Sequence, residues 1–471
     1  MKEKIAIIGA GVGGLAAGIN LCKAGYQVTI YEKNSWPGGK IGGHTIEGFR
    51  VDAGPTIIRA PYLLMELFRS AGEDPELLNL LPVNPQYKFF LPDQRSFEIF
   101  SNTSDTTESI RNISPDDAEN YSKYLEHSQR YYHNALGIKP SGSSQQTIIQ
   151  RGKNAASSMI SHTLFRFTST YFSNSFIQSA FSFYPLFFGQ SPFISPERIS
   201  MLHAIEQQWG ISYPKEGMRP LAENLAMLFE RLGGILVFNT TIRELQTKRN
   251  QITALRLESG KLEQCDYALS NLSPFGLKQQ LTKIKSKSTV TNRSIGCSFF
   301  TMNLIVAPHT SHNQLEKHNI FLPTDFERTM SDIFKAKILP RSPWIYLCVT
   351  KRNENETQDD SYDNFLLIVP VPNLSSKIDW LKESLSFRNT LLISLERFLP
   401  DLRKRIRHEM VSTPQDFKDT YNLEFGTPLQ PAVQTPYKNL FYVGENSWQG
   451  LGLIGVLASA EEVVKSIKGF K

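Results

Sequence analysis

Apolar positions follow three patterns along the chain, and each predicts a different kind of element. A continuous run, Ile5-Ala6-Ile7-Ile8, predicts a strand. Behind it Leu15, Ala16, Ile19 and Leu21 supply the apolar side of a helix that stops at Ala24-Gly25, and Val28, Ile30 and Tyr31 begin a second strand. Alternation in Gln86 to Phe90 and Ser96 to Phe100 predicts two paired strands around Pro92-Asp93. Ser114-Pro115-Asp116-Asp117 opens a helix with a cap, a proline at its first position and acids in its first turn. Tyr121, Tyr124, Leu125 and Ser128 continue that helix at amphipathic spacing, and the polar stretch from Gly137 to Ser144 reads as a loop. A helix with Leu221, Leu225, Leu228, Phe229 and Leu232 on one side stops at Gly233-Gly234, and Ile235 to Phe238 is a strand. Gln251 to Glu258 and Lys261 to Asp266 form a hairpin about Ser259-Gly260, and Tyr267 to Asn271 re-enters the core. Near the C-terminus a strand through Asn439 to Val443 precedes a helix from about Val456 to Ile467.

The first strand runs into Gly9, Gly11 and Gly14, which fill G-x-G-x-x-G at the entrance of the first helix. Glycines there permit the turn, let the backbone approach a pyrophosphate and let the helix pack closely, so that its terminal N–H groups face the phosphates. Glu32 ends the second strand, 18 positions after Gly14, where an acid accepts hydrogen bonds from ribose hydroxyls. The arrangement predicts dinucleotide binding; the competing reading is a glycine-rich strand–helix turn without a ligand. Two more glycine-dense turns follow, one with Gly39 and Lys40 and one with Gly54, Pro55 and Thr56. A further one, Gly444-Glu445, precedes Gly450, Gly452, Gly455 and Val456 near the C-terminus. Loops at both ends favour FAD over NAD, with Glu445 placed for a ribityl hydroxyl and the last helix facing the flavin. The fold class expected is α/β: a FAD-binding Rossmann-type, glutathione-reductase-like domain interleaved with an α+β substrate domain.

Composition narrows this picture. Of 471 residues, 40% are hydrophobic and 20% charged, which suits a globular chain with a large core. The net charge of +6 is too dilute to argue for nucleic acid and tolerates an anionic membrane surface. The looser basic stretch Lys278, Lys283, Lys285, Lys287 and Arg293 and the tighter Arg403, Lys404, Arg405 and Arg407 read as solvated faces. Cys22, Cys265, Cys297 and Cys348 stand far apart, against a disulfide framework or a cysteine zinc site, and a reducing cytoplasm is the simplest home. Lys2 and Lys4 ahead of the uncharged stretch from Ile5 to Cys22 imitate a signal peptide, but the glycines break it. No other uncharged apolar run approaches the ~20 residues that span a bilayer. Aromatics are concentrated: 11 lie in the 30 residues from Leu164 to Phe193. Two readings compete there, a helical core and a greasy tunnel mouth or membrane-dipping surface.

The segments GAGVGGLAAGINLCKAGYQVTIYEKNSWPGGK and GFRVDAGPTII resemble the bacterial-type phytoene desaturases, carotenoid-forming flavoproteins. So do AFSFYPLFFGQSPF, HAIEQQWGISYPKEGMRPLAENLAMLFERLGGILVFNTTI, LLIVPVPNLSSKIDW, STPQDFKDTYN and FYVGENSWQGLGLIGVLASA, in order along nearly the whole chain. The resemblance implies a discontinuous FAD domain (1-70, 205-275 and 425-471) and a substrate-binding, membrane-facing domain (71-204 and 276-424). It places Ile242 near the adenine and Asn271 near the cofactor, and implies a long apolar polyene, carotenoid or precursor, desaturated by hydride transfer to flavin. It also implies a cytoplasmic enzyme bound peripherally to a membrane. With no second nucleotide fingerprint for NADPH, oxygen or a quinone is the expected electron acceptor.

The chain departs from the family where Glu445-Asn446-Ser447-Trp448-Gln449-Gly450 replaces a small residue and a His-Pro-Gly turn, and where Ile454 replaces a usual proline. That opens alternatives: a carotenoid oxidase or isomerase, an oxidase of another amphiphile resembling protoporphyrinogen or amine oxidases, or a flavin-binding scaffold without redox function. No nucleophile elbow, zinc-protease motif or metal-spaced cluster is present, and no general base is identified. The cofactor therefore carries the hard chemistry.

Overall fold

The computed structural model describes residues 2–136, 162–281, 296–351, 362–428, 437–445, 447 and 451–469. The expected loop Gly137 to Ser144, four of the five residues of the looser basic stretch, and Asn446, Trp448, Gln449 and Gly450 lie outside the described residues.

The apolar run Ile5 to Ile8 becomes the central strand, Lys4–Ile8, of a five-stranded parallel sheet. Gln27–Tyr31 lies on one side of it, with Ile235–Val237 beyond. Tyr267–Ser270 lies on the other side, with Leu440–Tyr442 beyond. In chain order the strands therefore stand 3-2-1-4-5. The order reverses between Lys4–Ile8 and Tyr267–Ser270, and in such sheets ligands bind outside the carboxyl ends of the strands at that reversal. Helices Val12–Lys23, Met218–Arg231 and Leu453–Gly469 pack together on the sheet, and Leu15, Ala16, Ala17, Ile19 and Leu21 are fully buried. The C-terminal helix begins at Leu453, three residues before its expected start, with Gly455 buried within its first turn. Between the third and fourth strands the chain makes the expected hairpin as part of a three-stranded meander, Ile242–Lys248, Gln251–Leu257 and Leu262–Gln264.

A second, seven-stranded sheet is nearly all antiparallel. Its order is Ile406–Ser412, Ser298–Val306, Asp363–Val371, Ile345–Lys351, His318–Phe321, Tyr87–Phe90 and Ser96–Ile99. Its one parallel pairing joins His318–Phe321 to Tyr87–Phe90. Phe300, Leu304, Leu367 and Val369 pack against Phe387, Leu391, Leu392 and Leu395 of helix Trp380–Glu396, giving this sheet its own core.

The aromatic-rich stretch is core for the most part, not a membrane-dipping surface. Phe167, Phe172, Phe181, Phe183, Tyr184 and Phe188 are buried, and the other five aromatics are partly buried. They interlock with each other and with other elements: Phe172 stacks on Phe181 at 4.7 Å, and Phe183 meets Tyr87 edge-on at 5.3 Å. The density of aromatics thus reflects what fills the space between the helices and the antiparallel sheet. No described helix is long and apolar enough to cross a membrane.

Candidate functional site

Four turns converge at the carboxyl ends of the parallel strands, and one side chain ties them together. Asn271 follows the fourth strand; its backbone N–H donates to the Ile8 carbonyl at 2.9 Å and its Nδ2 to the Val443 carbonyl at 3.0 Å. The glycine loop folds directly over it. A Cβ on Gly13 would lie 2.6 Å from Asn271 Nδ2 and 2.8 Å from Gly444 Cα, and a Cβ on Gly11 would collide with Asn271 Oδ1. Gly9 and Gly444 also hold positive φ angles, +98° and +106°, that disfavour other residues. Helix Val12–Lys23 starts at Gly11 without a side-chain cap and without an acid in its first turn. Its first N–H groups are left for an anionic ligand, as a diphosphate requires.

Glu32 stands at the end of the second strand, 6% exposed, where Oε2 accepts from Ala10 N–H at 2.8 Å and Oε1 from Asn34 N–H at 2.9 Å. Burial pushes its carboxyl above the usual value, against the opposing pull of these backbone N–H groups. Gly38 N–H donates to the Ala10 carbonyl at 2.8 Å, which brings the Gly38-Gly39-Lys40 turn onto the glycine loop. Lys40 Nζ pairs with Glu445 at 2.7 Å and donates to the Pro428 carbonyl at 2.8 Å. A Cβ on Gly54 would meet the Lys40 carbonyl at 2.8 Å, so this turn too requires glycine for close approach.

These turns border one cavity of about 2000 Å³, counting its open mouth. Gly9, Gly11, Glu32, Gly39, Lys40, Gly54, Pro55, Thr56, Asn271, Gly444, Glu445 and Val456 all line it. Gly14, Ile242 and Gly455 do not. Gly14 lies against the Gly9 carbonyl and is needed for the tightness of the loop itself. Ile242 is fully buried in the core beneath the meander, while Thr240 and Gln280 line the cavity nearby. Gly455 is buried within the last helix.

Beyond the turns the cavity continues to Phe187 and Phe188 from the aromatic stretch, and to Phe299, Thr301, Tyr346 and Ile368 from the antiparallel sheet. Those strands are buried on both faces, so their nearly continuous apolar runs do not say which face meets a ligand. Two polar assemblies reach this apolar part. Thr56 Oγ1 lies 2.5 Å from the Tyr346 hydroxyl, which lies 2.8 Å from His318 Nδ1. Burial, with Lys317 and Arg59 nearby, holds His318 well below the usual imidazole value, and its Nε2 has no partner among the described residues.

The second assembly is larger. Arg59 Nε donates to Glu206 Oε1 at 2.5 Å, and the Tyr87 and Tyr184 hydroxyls donate to Glu206 at 2.7 and 2.8 Å. Because Tyr184 gives its proton to Glu206, it accepts from His203 Nδ1–H at 3.1 Å, and His203 Nε2 accepts from the Tyr121 hydroxyl at 2.9 Å. Neutral His203 satisfies both bonds, and burial lowers its pKa from 6.5 to about 3. The unfolded chain binds a proton at this histidine below its ordinary pKa, whereas the folded chain does not until about pH 3. The unfolded state thus binds more protons and stability falls on acidification, by up to ~1.4 kcal/mol per pH unit from this group. Urea unfolding of His203→Gln is expected to show a flatter loss between about pH 6 and about pH 4 than the parent. Parallel pH profiles would remove His203 from the account.

Residues 12–294 match the model of the family described as flavin containing amine oxidoreductase. The chain belongs to this family. It is 28% identical to the lycopene-forming phytoene desaturase of Pantoea ananas over 97% of both chains. It is 26% identical to the 4,4'-diaponeurosporene oxygenase of Staphylococcus aureus strain USA300, covering 99% of this chain and 98% of that one. An oxidoreductase structure from Methanosarcina mazei superposes with a TM-score of 0.67 over 98% of this chain and 100% of that one, at 15% identity, a likeness of fold. This flavin amine oxidoreductase family member is an FAD-dependent oxidoreductase. Its residues fit the cofactor: Gly11, Gly13 and Gly14 let the loop close tightly on Asn271, Gly444 and Gly9, and Glu32 borders the cavity beside an uncapped helix start.

Proposed function

We propose that the protein desaturates a long apolar polyene, a carotenoid or carotenoid precursor, with FAD as the immediate oxidant. One observation carries this reading. Among the described residues, the carboxylates lining the cavity are Glu32 and Glu445, both at the glycine-loop end, while the far part of the wall is built mainly of Phe187, Phe188, Phe299 and Ile368, with Arg59, Thr301 and Tyr346 as polar members but no carboxylate. An amine substrate would meet no counter-charge there, whereas a hydrocarbon chain loses nothing by leaving water. The similarity to a phytoene desaturase over nearly the full length supports the same class.

Bound FAD supplies a hydride acceptor for an unactivated carbon. The chain's own part is to bind and exclude water. The turns about Asn271 and Glu32 hold the dinucleotide, and the aromatic wall aligns the substrate and keeps the reacting region dry. Two units divide this work in the proposal: residues 1-70, 205-275 and 425-471 hold FAD, and residues 71-204 and 276-424 hold the substrate. Every strand of the parallel sheet falls in the first set and every strand of the seven-stranded sheet in the second.

A membrane surface is the proposed source of the polyene. Its support lies on helix Trp380–Glu396, where Leu381 (97% exposed), Leu385 (66%) and Ile393 (55%) follow one stripe beside the exposed Lys382. Oxygen or a quinone is the proposed reoxidant. Co-expression with enzymes that make colourless polyenes tests the function: new, longer-wavelength pigments are expected. An unchanged pigment profile with flavin-loaded protein present would reject it.

A further inference from the structure

Arg59 stands out in the apolar part of the cavity. It is 7% exposed, borders the cavity, and lies with its guanidinium carbon 5.7 Å from the ring centre of Phe187, which lines the same wall. Its Nε is taken by Glu206 and its Nη2 reaches the Tyr87 hydroxyl at 3.5 Å, but its Nη1 has no hydrogen-bond partner among the described residues. That edge is not sealed within the wall but reaches the cavity, where a water or a ligand atom is left to accept from it. Nothing about holding a purely apolar chain requires it.

The balance of charge says what kind of acceptor fits. Glu206 already pairs with Arg59 and itself receives Tyr87 and Tyr184, so the assembly holds one positive and one negative group. A second carboxylate would bring an unbalanced negative charge into an apolar wall, where desolvation outweighs the attraction. A neutral carbonyl oxygen adds no charge and accepts one N–H. It also leaves the rest of its chain against Phe187 and Phe188.

We propose that Arg59 is a specificity-determining residue that binds a carbonyl oxygen on its substrate, so that the cavity takes polyenes bearing an aldehyde or ketone in preference to pure hydrocarbons. This rests on the polyene reading above and narrows its substrate class. Arg59 presents Nη1 to the oxygen, and Glu206 positions the guanidinium through Nε.

The test compares an apocarotenal with a hydrocarbon polyene of equal chain length, each titrated into the FAD-loaded protein. The aldehyde is expected to bind roughly 10-fold or more tightly, as a hydrogen bond to a charged group implies. Its carbonyl stretch in the Raman spectrum of the complex should move below its value in hydrocarbon solvent. Arg59→Met/Glu206→Gln, which removes both charges, should abolish the preference and the shift. Should that variant fail to fold, the carbonyl stretch in the unaltered protein decides alone. Equal affinities with an unshifted carbonyl, while the hydrocarbon binds and reduces the flavin, would overturn the role of Arg59 and leave the polyene reading standing. If neither ligand binds, both fall.

Discussion

Gly13→Val is expected to give a folded but colourless protein that does not retain FAD. The added Cβ would sit 2.6 Å from Asn271 Nδ2 and 2.8 Å from Gly444 Cα. Valine's two methyl groups would press further on both. The turn at Gly444 cannot retreat easily, since Gly444 N–H donates to Ser459 at 2.8 Å and Asn271 is held by the Val443 carbonyl. The cheapest response is for the glycine loop to lift from Asn271, which moves the first N–H groups of the helix out of line with the pyrophosphate. Overpacking of this kind costs about 1–3 kcal/mol of stability, but the loss of FAD affinity should exceed 100-fold because several backbone contacts fail together. The flavin content of purified protein, read from its visible absorption, checks this. Gly72→Asn serves as the control: Gly72 also has a positive φ, +82°, but a Cβ there meets nothing within 4 Å, and asparagine tolerates that backbone. Normal flavin content in Gly13→Val would show that the contact between the loop and the Asn271 turn does not shape the cofactor site.

Glu206→Leu is expected to be the most destabilising single substitution considered. Glu206 is fully buried and receives Arg59, Tyr87 and Tyr184. Its removal leaves a guanidinium and two phenols without their shared acceptor, largely shielded from water. Removing one partner of such a buried pair costs about 3–5 kcal/mol. Burial alone works against the charge on Arg59, yet Glu206 and the neighbouring tyrosines more than offset this, and the guanidinium pKa lies above its ordinary value. Arg59→Met/Glu206→Gln should recover most of the loss, because it removes both charges and keeps an acceptor for the tyrosines. Urea unfolding of the two variants checks the ordering. A single variant as stable as the parent would mean that Arg59 finds another partner and that Glu206 does not hold the assembly together.

The parts of the fold and site that were legible in the sequence are those fixed by local rules. Gly9 and Gly11 mark the loop because few other residues fit such turns, and the run Ile5 to Ile8 marks a central strand because both of its faces are covered. Glu32 is legible through its fixed distance from the loop. Gly13 is not legible because it fills a variable position of the fingerprint, and only the return of Gly444 across the sheet makes its missing Cβ necessary. Arg59 and Glu206 were invisible for a related reason: they are 147 positions apart and meet only when the strand at Ile58–Arg59 pairs with Ile211–Pro214 beside helix Met201–Trp209. The aromatic stretch shows the limit of composition. Its density leaves both a helical core and a greasy tunnel mouth open, and burial assigns most of the side chains to the core while leaving Phe187 and Phe188 at the cavity.

One cavity joins the turns about Asn271 and Glu32 to an apolar wall, and a polyene bound there is expected to reduce FAD. Anaerobic titration of the FAD-loaded protein with a colourless polyene in lipid vesicles tests it most directly. The flavin's visible absorption is expected to bleach in step with added polyene while a longer-wavelength polyene band grows. Flavin that stays oxidised with the polyene but bleaches with an amine would contradict it.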